Sequence, residues 1–380
     1  MEGSTERERT AGPGDGGRPS VIVAPMAEQM QAVVFHGPED VRVEEIPRPE
    51  IEEPDDVVLR VDRAAICGTD LHPYHGRLEM EEGFVLGHEY LGTIEAKGDG
   101  VTQFEEGERA VGSFFVACGN CWFCRRGAFM KCIMIRVFGM GMVMGDLPGA
   151  QAQYVRVPEA DLTLRKIPQN GVAAIGDEDI LFVGDILATG YDAIRKTDMR
   201  PGDFVAVIGC GPVGLCTIMA AHALGAGTVV AVDMVPDRLK LAESLGAIAV
   251  NPQETDPADV VLDATEWRGA DLVIDAVGHE SALAAAFPLV RMGGTISMPG
   301  MYVEDSAPVP IGDMWLKNIT LISGVANVQA HMDELIELIR HGRIDPKVII
   351  SHRMPLSEAA KGYEMFDRKE ALKVVLDPSA

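Results

Sequence analysis

The chain has 380 residues, and its 47% hydrophobic content is enough apolar material for two domains with separate cores. Its formal net charge of −25 opposes binding to phosphate backbones and to anionic membrane surfaces, so we expect no nucleic-acid or membrane partner. The sequence contains neither an apolar run of roughly 18 residues that would span a membrane nor a signal peptide, and we therefore expect a cytoplasmic protein.

The first third of the chain predicts a leader followed by a β-rich domain. Residues 1–29 are rich in Gly, Pro, Glu and Arg without apolar periodicity, so we expect a disordered leader, with Met26 or Met30 as an alternative start. From Met30 onward, short β-branched runs are separated by Gly, Pro and acidic pairs, as in "MQAVVFHGPEDVRVEEIP". This texture predicts small antiparallel strands.

The middle of the chain predicts a doubly wound α/β domain. The apolar runs "FVAVIG", "TVVAVD", "AIAVN", "DLVIDAVG" and "GTISMPG" alternate with helical stretches such as "PVGLCTIMAAHALGA" and "PDRLKLAESLGA". Strands that are apolar on both faces indicate a parallel sheet covered on two sides. The tail, from "AHMDELIELIRHGRI" to "ALKVVLDP", predicts helix, helix and strand, and we expect it to return to the first domain.

A glycine-rich turn follows the first of these parallel strands. "VAVIGCGPVGLC" has the pattern G-x-G-x-x-G between a strand and a helix, which suits a dinucleotide pyrophosphate, although such glycines can also be purely structural. Asp233 ends the next strand, where a carboxylate accepts hydrogen bonds from the ribose and repels a 2′-phosphate, so NAD is preferred over NADP. The predicted cofactor residues here are Gly209, Gly211, Pro212, Val213, Gly214, Asp233 and Arg238.

Two stretches of the β-rich part offer metal ligands. The first, "AAICGTDLH", supplies Cys67, Thr69, Asp70 and His72, and the second, "VLGHEYLG", supplies His88 and Glu89. A thiolate, an imidazole and a carboxylate suit zinc, and three protein ligands leave one position open for water or substrate. A single histidine between strands is, by itself, more often a structural residue.

Four more cysteines are clustered in "CGNCWFCRRGAFMKC", as Cys118, Cys121, Cys124 and Cys132. Clustered cysteines in a reducing compartment favour metal over disulfides, and four thiolates can close a tetrahedron around a structural zinc. An iron–sulfur cluster and a redox disulfide pair are the alternatives. The remaining Cys210 and Cys216 are predicted to be small core residues.

Taken together, the sequence closely resembles the zinc-dependent alcohol dehydrogenases of the medium-chain dehydrogenase/reductase superfamily. The resemblance extends from about Met30 to Pro378 and rests on "GHE", the four-cysteine lobe, "GDILATGYDA" and "GCGPVG". Within the superfamily it is most similar to the bacterial branch related to formaldehyde dehydrogenases. It implies an α/β fold: a GroES-like catalytic domain of residues 30–184 and 325–380 around a Rossmann domain of residues 185–324. We expect a homodimer or homotetramer.

The resemblance also implies roles for individual residues. Catalytic zinc would be bound by Cys67, His88 and Asp185, with Glu89 beside it; Asp185 as a helix N-cap is the structural alternative. Thr69 and His72 correspond to a proton relay, Asp70 to a residue that orients His88, Thr189 to a nicotinamide contact and Lys373 to a pyrophosphate contact. With two zinc ions and NAD, such an enzyme interconverts an alcohol and its aldehyde or ketone.

The sequence departs from the family pattern at two points. Gly68 stands where some relatives have an arginine for the pyrophosphate. The connection from Cys132 to Asp185 is too short for the long loop that traps NAD permanently in the tight-binding formaldehyde dehydrogenases and dismutases. We therefore expect exchangeable cofactor. A formaldehyde dehydrogenase or aldehyde dismutase, and a non-catalytic zinc and nucleotide-binding protein, are the competing interpretations. The Met-rich "FGMGMVMGD" either lines an apolar pocket or only packs, and polyol substrates are less favoured.

Overall fold

The computed structural model describes residues 28–168 and 175–380. Most of the leader predicted at residues 1–29 lies outside the described residues. Its predicted end is slightly wrong, because Gln29 already begins the first strand.

The N-terminal part consists mainly of short strands, as predicted. Many of its β-branched residues are buried. In the strand that follows the first hairpin, Val57–Ile66, most side chains are buried. Its elements are β1 (Gln29–Gly37), β2 (Asp40–Pro47), β3 (Val57–Ile66), α1 (Leu71–Tyr74), β4 (Phe84–Val85), β5 (Glu89–Lys97), β6 (Arg109–Gly112), β7 (Phe115–Val116), β8 (Arg136–Val137), β9 (Tyr154–Val157), α2 (Ala160–Thr163), β10 (Leu164–Lys166) and α3 (Asp177–Ile180).

The middle part alternates strands and helices. All five predicted strands are present, and a further strand before the tail had not been predicted from its short sequence "TLIS". The elements are α4 (Ile186–Arg195), β11 (Phe204–Ile208), α5 (Pro212–Ala223), β12 (Thr228–Val232), α6 (Pro236–Ser244), β13 (Ile248–Val250), α7 (Pro257–Ala264), β14 (Ala270–Asp275), α8 (Glu280–Leu289), β15 (Val290–Met298), α9 (Ile311–Lys317) and β16 (Thr320–Ser323).

These strands form a parallel sheet in the order β13-β12-β11-β14-β15-β16. This is the Rossmann order, in which the direction of winding reverses between the first and fourth strands. Helix α5 is apolar all round and is largely buried against the sheet, because it lies between the sheet and α4. The prediction of a doubly wound α/β domain is confirmed.

The tail contains α10 (Met332–Arg340), β17 (His352–Pro355), α11 (Ala359–Asp367) and β18 (Val374–Asp377). The sequence had predicted the two helices and the last strand but not β17, whose four residues "HRMP" end in proline. Strand β18 pairs antiparallel with β3, so the tail returns to the sheet of the first domain.

That sheet has the order β10-β6-β5-β3-β18-β17, with β9 also paired to β3. Its register brings together residues that are distant in sequence: Ala65 lies opposite Glu89, and Ile66 lies opposite Val374. The residues next to these pairs, Cys67, His88 and Lys373, therefore meet at one end of the sheet. Within the part of the chain that the structure describes, none of the helices is long and apolar enough to cross a membrane.

Candidate active site

Three potential metal ligands meet at this end of the sheet. Cys67 directly follows β3, His88 directly precedes β5, and Asp185 directly precedes α4. The Asp185 Oδ2 atom lies 3.3 Å from Cys67 Sγ and 3.4 Å from His88 Nε2. All three side chains are buried, and their ligand atoms lie within 4.8 Å of one another. This metal-ligand trio has the donor set and the spacing that suit a single zinc ion.

Asp185 occupies the position of a helix cap without acting as one. It is the residue before α4, yet among the described residues its side chain accepts no cap hydrogen bond from the helix amides. Its carboxylate is instead directed at Cys67 and His88. The geometry therefore favours a ligand over the N-cap alternative.

Asp70 supports the other two members of the trio. Its Oδ2 accepts the backbone N–H of Cys67 at 2.9 Å and the side-chain amide of Gln151 at 3.2 Å, while its Oδ1 lies 3.2 Å from His88 Nδ1. Gln151 in turn accepts the hydroxyl of Tyr363 at 2.8 Å. All of these side chains are buried. Asp70 is therefore placed where it could orient the imidazole, whose Nε2 is directed at Asp185.

Glu89 and Lys373 form a buried ion pair behind the trio. The Lys373 ammonium lies 2.7 Å from Glu89 Oε1 and 2.6 Å from Oε2, and it donates to the carbonyl of Ile66 at 2.9 Å. Lys373 is fully buried and does not line the cleft. The expectation that it contacts the pyrophosphate is therefore wrong for this structure, because its charge is already paired beneath the site.

The charges of the trio depend strongly on one another. Burial, followed by the Asp185 carboxylate, raises the pKa of the Cys67 thiol to about 11. Burial opposes the charged forms of His88 and Asp185, yet Asp70 and Cys67 hold the pKa of His88 well above its ordinary value, and His88 lowers the pKa of Asp185 to about 2. The positive charge of protonated His88 thus compensates the negative charges of Asp70 and Asp185. A divalent cation would take over this compensation, since it favours thiolate and neutral imidazole.

The trio opens into a cleft of about 560 Å³ between the two domains. Predicted site residues that line it on the catalytic side are Cys67, Thr69, His72, His88, Asp185 and Thr189. Gly68, which stands where some relatives have an arginine, lines it as well. Thr69 Oγ1 lies 3.7 Å from Cys67 Sγ. Burial, followed by the charge of Arg77, lowers the pKa of His72, and its Nδ1 is buried with no partner among the described residues.

The rest of the catalytic side of the cleft is apolar. Met140 and Met144 of the Met-rich segment line it, so the pocket interpretation of that segment is favoured over mere packing. Sequence reasoning missed the other apolar residues, whose types carry no recognisable signal: Phe114, Met130, Val137 and Ile186.

The glycine-rich turn lies on the Rossmann side of the same cleft. Gly211, Pro212 and Val213 line it, and no side chain of the described chain caps the start of α5. Gly209 has φ of +92°, and a Cβ on Gly214 would lie 1.8 Å from the Gly209 carbonyl oxygen, so these two positions require glycine. A helix N-terminus with free amides facing a cleft fits a dinucleotide pyrophosphate.

Asp233 lies beside this turn. Its carboxylate accepts the backbone N–H of Cys210 at 2.7 Å and that of Val235 at 2.8 Å. Arg238, from α6, comes within 4.0 Å of Asp233 and lies close to Gly211. The two residues after Asp233 carry no positive charge, as the sequence indicated. Arg238 of the next helix supplies one instead.

The other six cysteines fall into two groups. Cys118, Cys121, Cys124 and Cys132 have their sulfur atoms within 4.8 Å of one another, whereas Cys210 and Cys216 are fully buried core residues. Zinc with bonds of about 2.3 Å holds its thiolates close together, while an iron–sulfur cluster separates them because its own atoms fill the centre. The spacing favours a single metal ion.

Comparison with known proteins agrees with this geometry. A profile described as an alcohol dehydrogenase GroES-like domain matches residues 53–169, and one described as a zinc-binding dehydrogenase matches residues 212–341. The zinc-type alcohol dehydrogenase-like protein AdhB of Bacillus subtilis, which is uncharacterised, is 38% identical over 380 residues, covering 92% of this chain and 100% of the relative. The chain belongs to the zinc-dependent alcohol dehydrogenase family.

Two further similarities extend this result. The structure of the alcohol dehydrogenase TADH from Thermus sp. ATN1 has a TM-score of 0.88 and 44% identity, covering 92% of this chain and 99% of that one. The formaldehyde dismutase of Pseudomonas putida is 34% identical over 391 residues, covering 92% of this chain and 97% of the relative. This alcohol dehydrogenase is thus a zinc-dependent oxidoreductase of small alcohols or aldehydes, and the non-catalytic interpretation is set aside.

Proposed function

We propose that this alcohol dehydrogenase uses exchangeable NAD to interconvert an alcohol with an apolar tail and its aldehyde or ketone. The observation that carries the proposal is that the metal-ligand trio and the glycine-rich turn face the same cleft. Hydride transfer needs both the reacting alcohol and the nicotinamide at one place, and the cleft provides it.

Each chain would hold two zinc ions. Cys67, His88 and Asp185 are the proposed ligands of the catalytic ion, which would act as a Lewis acid on the substrate oxygen. Glu89 stays behind this site because its carboxylate is paired with Lys373. The four cysteines of the lobe would bind the second ion, with no open position.

The alcohol proton needs a route to solvent. Thr69 is the proposed acceptor near the trio, and His72 the group that carries the proton outward, since both line the cleft. The lowered pKa of His72 supports this role, because the neutral imidazole is then the main form at neutral pH and can accept a proton.

NAD is the proposed cofactor. Its pyrophosphate would lie at the turn formed by Gly209, Gly211, Pro212, Val213 and Gly214, with Arg238 as a nearby cation. The backbone N–H groups of Gly211, Val213 and Gly214 would face it, since Pro212 has none and that of Gly209 is donated to Val232. Asp233 would accept hydrogen bonds from the ribose and disfavour a 2′-phosphate. Thr189, which lines the cleft four residues after Asp185, would contact the nicotinamide.

The lining of the cleft supports an apolar substrate. A polyol would bury additional hydroxyl groups, and each would need a hydrogen-bonding partner to avoid a desolvation cost. Among the described residues of the catalytic side, such partners lie around the trio, and beyond them the side presents Phe114, Ile186 and methionine side chains. Methionine adapts to different shapes, which suits a range of apolar tails.

The test is an activity screen with zinc-loaded protein. NADH formation is followed by absorbance with primary, secondary, aromatic and polyol substrates, using NAD and NADP in parallel, and metal analysis is performed on the same samples. We expect apolar alcohols with NAD to give the highest kcat/KM, with two zinc ions and no iron per chain. Activity confined to polyols or to NADP would contradict the proposal.

A formaldehyde dismutase is the second candidate, and the 34% identical relative favours it. A dismutase retains its nucleotide and converts aldehyde without added NAD. Turnover of formaldehyde by nucleotide-depleted protein, with no NAD supplied, would favour this candidate over the first.

We also infer a cytoplasmic homo-oligomer, a dimer or a tetramer. Free, clustered cysteines are typical of proteins in a reducing compartment, which supports the location. The exposed apolar residues of α9, beside the edge strand β16, support self-association. The division at residues 184/185 and 324/325 is our proposed domain boundary.

A further inference from the structure

Two neighbouring loops of the Rossmann domain form one wall of the cleft. Residues 275–278 end β14 and turn away from it, and residues 299–302 follow β15. Both loops contribute lining residues. Because β14 and β15 are parallel neighbours, their carboxyl ends emerge side by side, at the edge where such sheets bind their ligands.

A fully buried carboxylate, Asp275, joins the two loops. Its Oδ1 accepts the backbone N–H groups of Val277 at 2.9 Å and Gly278 at 3.1 Å, within its own loop. Its Oδ2 accepts the hydroxyl of Tyr302 at 2.5 Å, from the other loop. The same hydroxyl lies 3.1 Å from the carbonyl oxygen of His279. The Tyr302–Asp275 hydrogen bond is thus the side-chain connection across this wall.

The backbones of the two loops are also in close contact. Gly278 has φ of +75°, and a Cβ there would lie 2.4 Å from the carbonyl oxygen of Met301, while a Cβ on Gly300 would lie 2.3 Å from Gly278 N. Val277 packs against the first glycine of the cofactor turn, where a Cβ on Gly209 would lie 2.6 Å from its Cγ2. A displacement of residues 299–302 would therefore be transmitted to the glycine-rich turn.

We propose that Tyr302 is a positioning residue for the nucleotide: its hydrogen bond to Asp275 keeps residues 299–302 against residues 275–278 and so holds this wall in shape for binding. A wall that is already ordered loses less conformational freedom when the ligand enters, and binding is tighter for that reason. Burial, followed by the bond to Asp275, raises the pKa of Tyr302, so the phenol keeps the proton that it donates. The inference rests on the proposed NAD site.

The test is the substitution Tyr302→Phe, which removes the hydroxyl and keeps the ring. NADH affinity is measured by fluorescence titration of zinc-loaded protein, without turnover. A hydrogen bond to a charged group is among the stronger ones. Because only part of the effect of losing it would reach the nucleotide site, we expect NADH binding to weaken by about fivefold to tenfold. The kcat at saturating NAD should stay within about twofold, because Tyr302 would act on binding and not on the chemical step.

Tyr154→Phe is the matched control. Tyr154 lies outside the cleft with its ring under Arg48, so this change should leave NADH affinity unaltered. In an Asp275→Asn background, the effect of Tyr302→Phe should shrink, since the bond that it removes is then weaker.

The outcomes separate this inference from the proposed function. If the unmodified protein fails to bind NADH, the proposed function fails. If it binds NADH and Tyr302→Phe binds equally well or more tightly, the positioning role is refuted while the function stands. If Tyr302→Phe lowers the melting temperature and leaves NADH affinity unchanged, the hydrogen bond contributes to stability alone, and the inference is overturned.

Discussion

At the scale of single residues, the position of Asp185 allows two roles, metal ligand and helix N-cap, and its contacts favour the first. Its carboxylate is directed at Cys67 and His88 and forms no cap hydrogen bond within the described structure. We expect Asp185→Asn to lose the catalytic zinc, because the amide carries no charge. Losing a residue that only supports a metal ligand lowers activity by up to about a hundredfold. Because Asp185 is the proposed ligand itself, we expect its loss to lower activity by more than that. Metal analysis should then find one zinc ion per chain.

Circular dichroism and the melting temperature provide the control for this variant. Asn is as good a cap as Asp, so a cap role predicts normal folding, two zinc ions and near-normal turnover. Retention of both ions and of activity would therefore refute the assignment of Asp185 as a ligand.

Asp233 is the second informative residue, because Arg238 lies 4.0 Å from its carboxylate. In Asp233→Asn the repulsion of a 2′-phosphate disappears and Arg238 is free to pair with it. We expect the ratio of kcat/KM for NAD to kcat/KM for NADP to fall by about tenfold or more, which is the effect of losing a charge-assisted hydrogen bond. The change should arise mainly in the KM values of the two cofactors.

The double variant Asp233→Asn with Arg238→Gln tests the mechanism. If Arg238 receives the phosphate, this variant should remain poor with NADP despite the missing carboxylate. An unmodified enzyme that already prefers NADP would show that Asp233 does not select the cofactor.

At the scale of elements, the four-cysteine lobe is connected to the chain segment that follows β16. Asn327 accepts the backbone N–H of Met130 at 3.2 Å and donates to the carbonyl of Gly127 at 2.7 Å. Met130 lines the cleft, and so do Val325 and Ala326 on the other side of this connection. The lobe therefore shapes the cleft in addition to carrying the proposed second zinc site.

We expect Asn327→Ala to raise the alcohol KM by about threefold and to lower the free energy of unfolding by about 1–2 kcal/mol, because two hydrogen bonds are lost. Steady-state kinetics and denaturant unfolding measure the two effects. Asn251→Ala is the control, since within the described structure the Asn251 side chain bonds to Gln253 and Glu254 of its own exposed loop. An unchanged KM with reduced stability would limit the lobe to a structural role.

At the scale of the whole molecule, exposed apolar side chains cluster on the helix that precedes the edge strand of the Rossmann sheet. The edge strand is β16, and the preceding helix α9 exposes Ile311, Trp315 and Leu316, with Trp315 81% exposed. An unpaired edge strand beside an apolar patch is a ready surface for association.

We expect Leu316→Arg to reduce the molar mass in solution, measured by light scattering, because a charge would be buried in the contact. Ile248→Arg, on the opposite edge strand β13, is the matched control and should leave the mass unchanged. A monomeric unmodified protein would contradict the proposed homo-oligomer.

The sequence alone determined the features whose signals are local. The G-x-G-x-x-G turn, the alternation of buried strands with helices and the four clustered cysteines each fit within a short segment, so their spacing already predicts a structure. The strands β16 and β17 were missed, because four residues are too few to show a recognisable alternation of apolar and polar side chains. Cys67 and His88 were candidate ligands by residue type, but their combination with Asp185 was predicted by family resemblance, because the three residues belong to separate segments.

Only the tertiary structure decided which groups meet across long sequence distances. Lys373 and Glu89 are 284 residues apart, and their pairing in the fold, which no local pattern encodes, removed Lys373 from the cofactor residues. The hydrogen bond between Asp275 and Tyr302 likewise depends on two parallel strands ending side by side. Strand register and burial determine such contacts, and both are properties of the folded sheet as a whole.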